Sequence, residues 1–471
     1  MSRIPIPDLV VLLPGITGSV LERDGKEIWA PSPKAVLRGL LSFGRSVKNL
    51  ELVDDDPTQP NLGDGVVATR LVPDVHLLPG FWKIDGYSHI ENFLLGTFEL
   101  TEGENYHPFP YDWRRDNRAS ARQLQTSSEA WLRDWRTKSN NDNAQLVLVG
   151  HSMGGLIARY FVEVLGGWKH TRAVVTFGAP YYGSLNAIDF LVNGFHKGVG
   201  PIQADLTPLL RSCTSIHQLV PLYRCIYTAD GTAVTPALAG LPGWKPAWDS
   251  HLSDFQTEME QAAAANRTDP GFASNPVMYR PIVGTDQPTK QSARMVGDTV
   301  ELAMDRGGSD EGGDGTVPLL SAALSGTEDR RTFAPQQHSR LQNYDAMLDH
   351  LKGVLASLYL PRIEDVRATV TAWFSYDGDD VYLPEEPVRI RLRAHVAVTE
   401  DLMPEVQATI RVTDQVTGKD LPDRPVQARR DWQDIELGVL PPSTYTIEIQ
   451  GQGDTAPVSD VFVVAAPEEM E

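Results

Sequence analysis

The chain has 471 residues, 41% of them hydrophobic and 22% charged, with a formal net charge of −20. That is a globular composition in a chain too long for one typical core, so two domains are expected. The negative charge argues against nucleic acid and against electrostatic capture by anionic lipid, and it leaves only local, apolar contact with a membrane. No apolar run is long enough to span a bilayer, and the first residues lead straight into a strand without a secretory pattern. Two cysteines, Cys213 and Cys225, are too few for a disulfide framework, so the expectation is a cytoplasmic protein with two idle thiols.

In chain order, residues 9–13 (Leu-Val-Val-Leu-Leu) form an unbroken apolar run, as expected of a strand buried on both faces of a parallel sheet. It ends in Pro14-Gly15-Ile16-Thr17-Gly18-Ser19. Residues 118–136 place Leu124, Trp131, Leu132 and Trp135 at helical spacing. Further strands are expected at 145–149, 173–177 and 277–283. Such alternation gives an α/β fold with helices on both faces and catalytic loops at the carboxyl ends of the strands. Residues 184–278 interrupt the rhythm with a segment rich in Gly, Pro and Trp, expected to cap the active site as a lid.

Between the second strand and the helix predicted at 156–165 stands Gly150-His-Ser-Met-Gly154. Gly-x-Ser-x-Gly at a strand-to-helix turn is a nucleophile elbow, which makes Ser152 the expected nucleophile. A serine hydroxyl needs a base oriented by a carboxylate, and in this fold the chain order is Ser, then Asp or Glu, then His. The acid is expected at Asp314, in Gly312-Gly-Asp-Gly-Thr-Val-Pro318; Asp305 and Asp310 lack that sequel. Only His338 and His350 follow it before the chain changes character. His338 lies in a loop ahead of a helical run at 341–358, whereas His350 is inside that run, so His338 is the expected base. The oxyanion donors would be the backbone N–H groups of Met153 and Ile16.

Near Pro361 the pattern changes to alternating apolar residues: Val388 to Val398, Val406 to Val412, and Tyr445 to Ile449. Turn residues separate these runs, as in an antiparallel, immunoglobulin-like β-sandwich. Residues 363–471 hold 22 Asp and Glu against 9 Lys and Arg, which fits either a protein partner or plain stabilisation. The acidic run Asp377-Gly-Asp-Asp380 lacks the spacing of a calcium loop and reads as a solvated turn.

Taken together, the chain resembles the lecithin:cholesterol acyltransferase and lysosomal phospholipase A2 family of α/β-hydrolases. The resemblance rests on residues 13–19 (Leu-Pro-Gly-Ile-Thr-Gly-Ser), Pro110-Tyr-Asp-Trp-Arg114, Gly150-His-Ser-Met-Gly154, residues 177–184 (Phe-Gly-Ala-Pro-Tyr-Tyr-Gly-Ser) and residues 313–318 (Gly-Asp-Gly-Thr-Val-Pro). It implies Ser152, Asp314 and His338 as the catalytic triad and Ile16 and Met153 as the oxyanion hole. It also implies that residues 111–114 end a core strand and shape the site by scaffolding. The implied activity is that of a serine lipase or phospholipase, with acyl transfer to an alcohol or small-ester hydrolysis as alternatives.

No metal or cofactor is required by such chemistry, and the expected partner is a lipid or membrane surface. Leu37, Leu40, Leu41, Phe43, Phe81 and Trp82 are apolar candidates for meeting an acyl chain, but no substrate-binding residue is assigned. The expected organisation is a catalytic domain at 1–360 and a β-sandwich at 363–467. Two departures from the family stand out: no cysteine precedes Cys213, where secreted members rely on a disulfide, and the animal enzymes lack the acidic sandwich.

Overall fold

The computed structural model describes residues 3–30, 50–73, 76–77, 83–84, 86–199, 202–359, 372–396, 405–453 and 455–465. The candidate acyl-chain residues at positions 37, 40, 41, 43, 81 and 82 lie outside these, as do residues 360–371 and the end of the run expected to reach Val398.

Six parallel strands form the central sheet: β1 (Leu9–Leu13), β2 (Tyr106–Pro108), β3 (Leu146–His151), β4 (Thr171–Phe177), β5 (Met278–Gly284) and β6 (Thr332–Ala334). Their order is β6-β5-β4-β3-β1-β2. The apolar runs place side chains alternately on the two faces. Leu9, Val11, Leu13, Leu146 and Leu148 pack with α2 (Asn117–Ser139) and α3 (Met153–Glu163). Val10, Leu12, Val147 and Val149 pack on the other face with α1 (Ser88–Thr97) and α5 (Asp345–Ser357). Helices thus cover both faces, and each fully buried Val or Leu contributes roughly 1.5–3 kcal/mol of apolar burial. The α2 helix starts at Asp116, whose carboxylate accepts the Arg118 N–H, and stops at Asn140 in the left-handed conformation.

The insertion beginning near residue 184 is more ordered than its Gly, Pro and Trp content suggests. It contains the 23-residue helix α4 (Pro246–Thr268). Phe255 of α4 stacks on Tyr160 of α3 with ring centroids 5.5 Å apart, and Glu260 pairs with the buried Arg159 at 2.6 Å. This helix therefore buttresses the one that follows the nucleophile. Cys213 and Cys225 are free and buried; burial pushes both thiols up, Cys225 to about 12, so they stay protonated.

The C-terminal strands form two packed, mainly antiparallel sheets. One contains β7 (Ala372–Gly378), β8 (Pro387–Val396) and β10 (Gln433–Val439); the other contains β9 (Glu405–Asp414), β11 (Ser443–Gly451) and β12 (Val458–Val464). Phe374, Ile390, Leu392, Ile410, Ile447 and Phe462 fill the space between them. The fold is an α/β-hydrolase followed by an all-β sandwich. Within the acidic run, Asp377 lies near the end of β7 and its carboxylate pairs with Arg391 across on β8, so the run begins in a strand and only Asp379 and Asp380 lie beyond it.

Candidate active site

At the carboxyl end of β3 the chain turns sharply into α3, and Ser152 sits at the corner with φ 51° and ψ −124°. A non-glycine residue at positive φ is strained, and such strain concentrates where function requires a side chain to be presented. The neighbouring backbone holds it: Ser152 N–H donates to Phe177 O at 2.8 Å. Gly154 is required by close approach, since a Cβ there would stand 2.6 Å from Pro14 O and 2.7 Å from Leu13 O. The sheet thus brings the end of β1 against the first turn of α3.

Ser152 Oγ lies 2.9 Å from His338 Nε2, and His338 Nδ1 lies 2.7 Å from Asp314 Oδ2. A carboxylate only accepts, so Nδ1 carries the proton, and Nε2 is left to accept from the serine hydroxyl. Asp314 is fixed in turn: its Oδ1 accepts the N–H groups of Thr316 at 3.0 Å and Val317 at 2.6 Å. The Gly-Thr-Val-Pro sequel therefore supplies the turn that orients the carboxylate. His338 opens a short 3-10 turn (His338–Asn343) ahead of α5, and its N–H donates to Asp314 O at 2.7 Å. All three side chains are nearly buried, between 1% and 5% exposed. His350, the alternative base, lies within α5 and bonds Thr332 Oγ1 at 2.9 Å, away from Ser152. Asp310 bonds Gln291.

Gly15 lies directly against the nucleophile, because a Cβ on it would meet Ser152 Cβ at 2.9 Å. Ile16 and Met153 are buried at the same place. Among the described residues neither of their N–H groups has an acceptor, so both are available as donors.

The sequence did not single out Tyr87 or assign a role to His151, yet both belong to this site. His151 Nε2 donates to His338 O at 3.1 Å, so its Nδ1 must be the acceptor. Tyr87 donates its hydroxyl proton to that Nδ1 at 2.9 Å, and the same oxygen accepts the Gly15 N–H at 2.6 Å. One continuous chain of hydrogen bonds therefore runs from the Gly15–Ile16 loop to the His338 backbone. Every direction in it is fixed. Burial, and then the neighbouring His338 ring, push the His151 imidazole down to about 3, so it stays neutral. Gly178 was part of a quoted motif without an assigned role. It has φ +57°, and a Cβ there would stand 2.8 Å from Asp314 Oδ2 and 2.9 Å from His338 Nδ1.

The Pro110–Arg114 motif differs from expectation in its placement. The strand it follows, β2, is an edge strand of three residues, and the motif lies beyond its end. Its scaffolding contacts are explicit: Tyr111 donates its hydroxyl to Pro14 O at 2.8 Å, and Tyr111 N–H donates to Ser19 Oγ at 3.0 Å. Arg114 is fully buried and donates to Asp112, Asp64 and Leu50 O. Burial alone would lower its guanidinium, but the two aspartates outweigh that and hold it above its ordinary value. Among the described residues, no group of three or more His, Cys, Asp or Glu is arranged to hold a metal ion. No described helix is long and apolar enough to cross a membrane.

The lecithin:cholesterol acyltransferase family model matches residues 90–236. Human lysosomal phospholipase A and acyltransferase is 28% identical over 149 residues, covering 30% of this chain and 35% of that protein. The phosphatidylcholine-sterol acyltransferase of Gallus gallus is 26% identical over 150 residues, covering 28% of this chain and 35% of its own length. The chain thus spans about a third of the length of these curated relatives. Among solved structures, a Tle4–Tli4 complex aligns with 76% of this chain and 98% of that chain, at 15% identity and a TM-score of 0.44. Residues 90–236, which run from α1 through the nucleophile elbow into the insertion, are thus the part of this α/β-hydrolase fold that is similar to the lecithin:cholesterol acyltransferase family.

Proposed function

We propose that this protein is a serine lipase or phospholipase that cleaves acyl esters of lipids through Ser152, His338 and Asp314. The observation that carries the reading is the directional chain from Ser152 Oγ to His338 Nε2 at 2.9 Å and from His338 Nδ1 to Asp314 Oδ2 at 2.7 Å. Ser152 attacks the ester carbonyl while His338 takes its proton, and Asp314 holds the ring in the useful tautomer. The N–H groups of Ile16 and Met153 receive the oxyanion. His338 returns the proton to the departing alcohol, and water then resolves the acyl-enzyme by the same route. The residues at 1–360 form the catalytic unit in this reading, with residues 184–278 as its cap and 363–467 as an accessory sandwich.

Acyl transfer shares every step up to the acyl-enzyme and differs only in which hydroxyl resolves it. The relatives named as acyltransferases favour keeping it as the second reading. The test is product analysis of the wild type beside Ser152→Ala, using phosphatidylcholine, triacylglycerol and p-nitrophenyl butyrate, with and without a long-chain alcohol. The expected result is fatty acid and lysophospholipid from the wild type and none from the variant. Turnover of the short ester alone would replace the lipase reading with a small-ester esterase, and activity surviving in Ser152→Ala would overturn both.

A further inference from the structure

The loops carrying Asp314 and His338 are gripped from behind by the C-terminal sandwich, through three glutamines. Gln287 pairs with the Asp314 loop by its backbone, donating its N–H to Gly313 O at 3.0 Å. Its carboxamide turns the other way, to β7: Nε2 donates to Phe374 O at 3.1 Å, and Oε1 accepts the Tyr376 N–H at 3.4 Å. Gln336, two residues before His338, does the same at the start of β12. Its Nε2 donates to Pro457 O at 3.3 Å and its Oε1 accepts the Ser459 N–H at 3.4 Å.

In a parallel ladder a residue donates to the carbonyl before its partner and accepts from the N–H after it. Each carboxamide reproduces that pattern, one around Ser375 and the other around Val458. Each therefore stands in for a strand peptide. Gln337 ties the arrangement together, its Nε2 donating to Gln287 Oε1 and to Tyr376 O, both at 3.1 Å. Gln287 and Gln336 are 3% and 1% exposed, and among the described residues their Nε2 groups find acceptors only on the sandwich, at Phe374 O and Pro457 O. The apolar seam agrees. Ala456 is buried, and Trp373 packed, in the core cluster that holds Leu341, Tyr344 and Leu348.

We propose that the sandwich is a working part of the catalytic centre, its strand backbones setting the Asp314 and His338 loops through the positioning residues Gln287, Gln336 and Gln337. This rests on the proposed function, in which Asp314 and His338 are the acid–base partners of Ser152. General-base geometry tolerates only small displacements, and a shift of about 1 Å costs about a hundredfold in rate. Loops held by backbone contacts from a second body can keep that tolerance only if the second body stays in register.

The test uses the full-length chain carrying Gln287→Ala, Gln336→Ala or Gln337→Ala. Arg411→Ala, which removes an exposed pair with Asp423 on the far strand β9, serves as control. Readouts are kcat and KM on p-nitrophenyl butyrate, and the low-field proton resonance of the His338–Asp314 hydrogen bond. Each glutamine variant should lose about 10- to 100-fold in kcat with KM nearly unchanged, and its low-field resonance should shift or broaden. The control should match wild type in both. Folded glutamine variants with wild-type kcat and an unchanged resonance would overturn the proposal.

Should the alanine variants fail to fold, Gln337→Glu at the half-buried position keeps the shape and replaces two donated hydrogen bonds by repulsion from Tyr376 O and Gln287 Oε1. Wild-type kcat and resonance there would likewise overturn it. Wild-type protein without esterase activity would count against the proposed function alone. In that case the resonance still decides: altered in the variants it supports the positioning role, and unaltered it refutes it.

Discussion

Replacing Tyr87 by Phe removes one oxygen and strands two partners. The hydroxyl accepts the Gly15 N–H at 2.6 Å and donates to His151 Nδ1 at 2.9 Å, in a site where Tyr87 is fully buried. The ring remains, so no cavity opens, and the cost is that of leaving buried polar groups unsatisfied. Each such group costs about 1–3 kcal/mol, giving about 2–6 kcal/mol of lost stability for the pair. The stranded N–H belongs to the loop that carries the Ile16 donor, and the stranded ring nitrogen belongs to the residue that holds the His338 carbonyl. If about 1.4–2.8 kcal/mol of that cost falls on the transition state, kcat drops about 10- to 100-fold. Urea unfolding followed by tryptophan fluorescence reads the first quantity, and ester hydrolysis at saturating substrate reads the second. A Tyr87→Phe variant within about 0.5 kcal/mol of wild-type stability, with wild-type kcat, would refute the reasoning, because it would mean the network carries neither load.

Gly178→Ala should inactivate with little change in KM. The new Cβ would lie 2.8 Å from Asp314 Oδ2 and 2.9 Å from His338 Nδ1, at a φ of +57° that costs an L-residue about 1–2 kcal/mol. A fall in kcat of about a hundredfold, with slower phosphonate labelling of Ser152, is expected, and unimpaired labelling would contradict the placement. Stability should also decline on acidification, through two buried histidines. His151 is pushed down to about 3 by burial and then by His338; His217 is pushed down to about 3 by burial and then by its neighbour His251. Below the ordinary value of about 6.5 the unfolded chain binds protons that the folded chain refuses. Stability is therefore complete above pH 6.5 and is lost progressively as pH falls toward 3. At pH 5.5 each histidine should cost about 1.4 kcal/mol relative to neutral pH. Urea midpoints compared at pH 7.5 and 5.5 test this, and a midpoint that held or rose on acidification would show that the rings are not buried neutral in solution.

How much of this was written in local sequence can be judged element by element. The strands expected at 9–13, 145–149, 173–177 and 277–283 appear as β1, β3, β4 and β5 with ends shifted by a residue or two. The apolar runs of β1 and β3 are unbroken, so burial on both faces leaves them one reading, while β4 and β5 keep enough apolar residues around Thr176 and around Arg280-Pro281 to be read the same way. The helix expected at 118–136 runs from Asn117 to Ser139 for a comparable reason: its polar cap and left-handed stop are coded beside it. The insertion was harder. The apolar residues of α4 (Trp248, Leu252, Phe255, Met259) follow a helical period, but the Gly- and Pro-rich stretch before it masks the start.

The chain points to Ser152, Asp314 and His338, the residues of the proposed triad, because each sits in a turn with its own local signature. Glycines flank the serine, Gly-Thr-Val-Pro follows the aspartate, and a loop precedes the last helix. Local sequence also determined the fold class and the presence of a second, all-β body. What the chain alone left undecided is everything that joins distant segments. Tyr87 reaches Gly15 and His151 across 72 and 64 residues, and Gln287 meets Phe374 across 87. A tyrosine or glutamine carries no periodic or turn signal of such a role, because its partners are backbone groups that any sequence would offer. Only the parallel order of the sheet brings the ends of β1, β3 and β5 to one edge. Only the seating of the sandwich turns three ordinary glutamines into the support of the Asp314 and His338 loops.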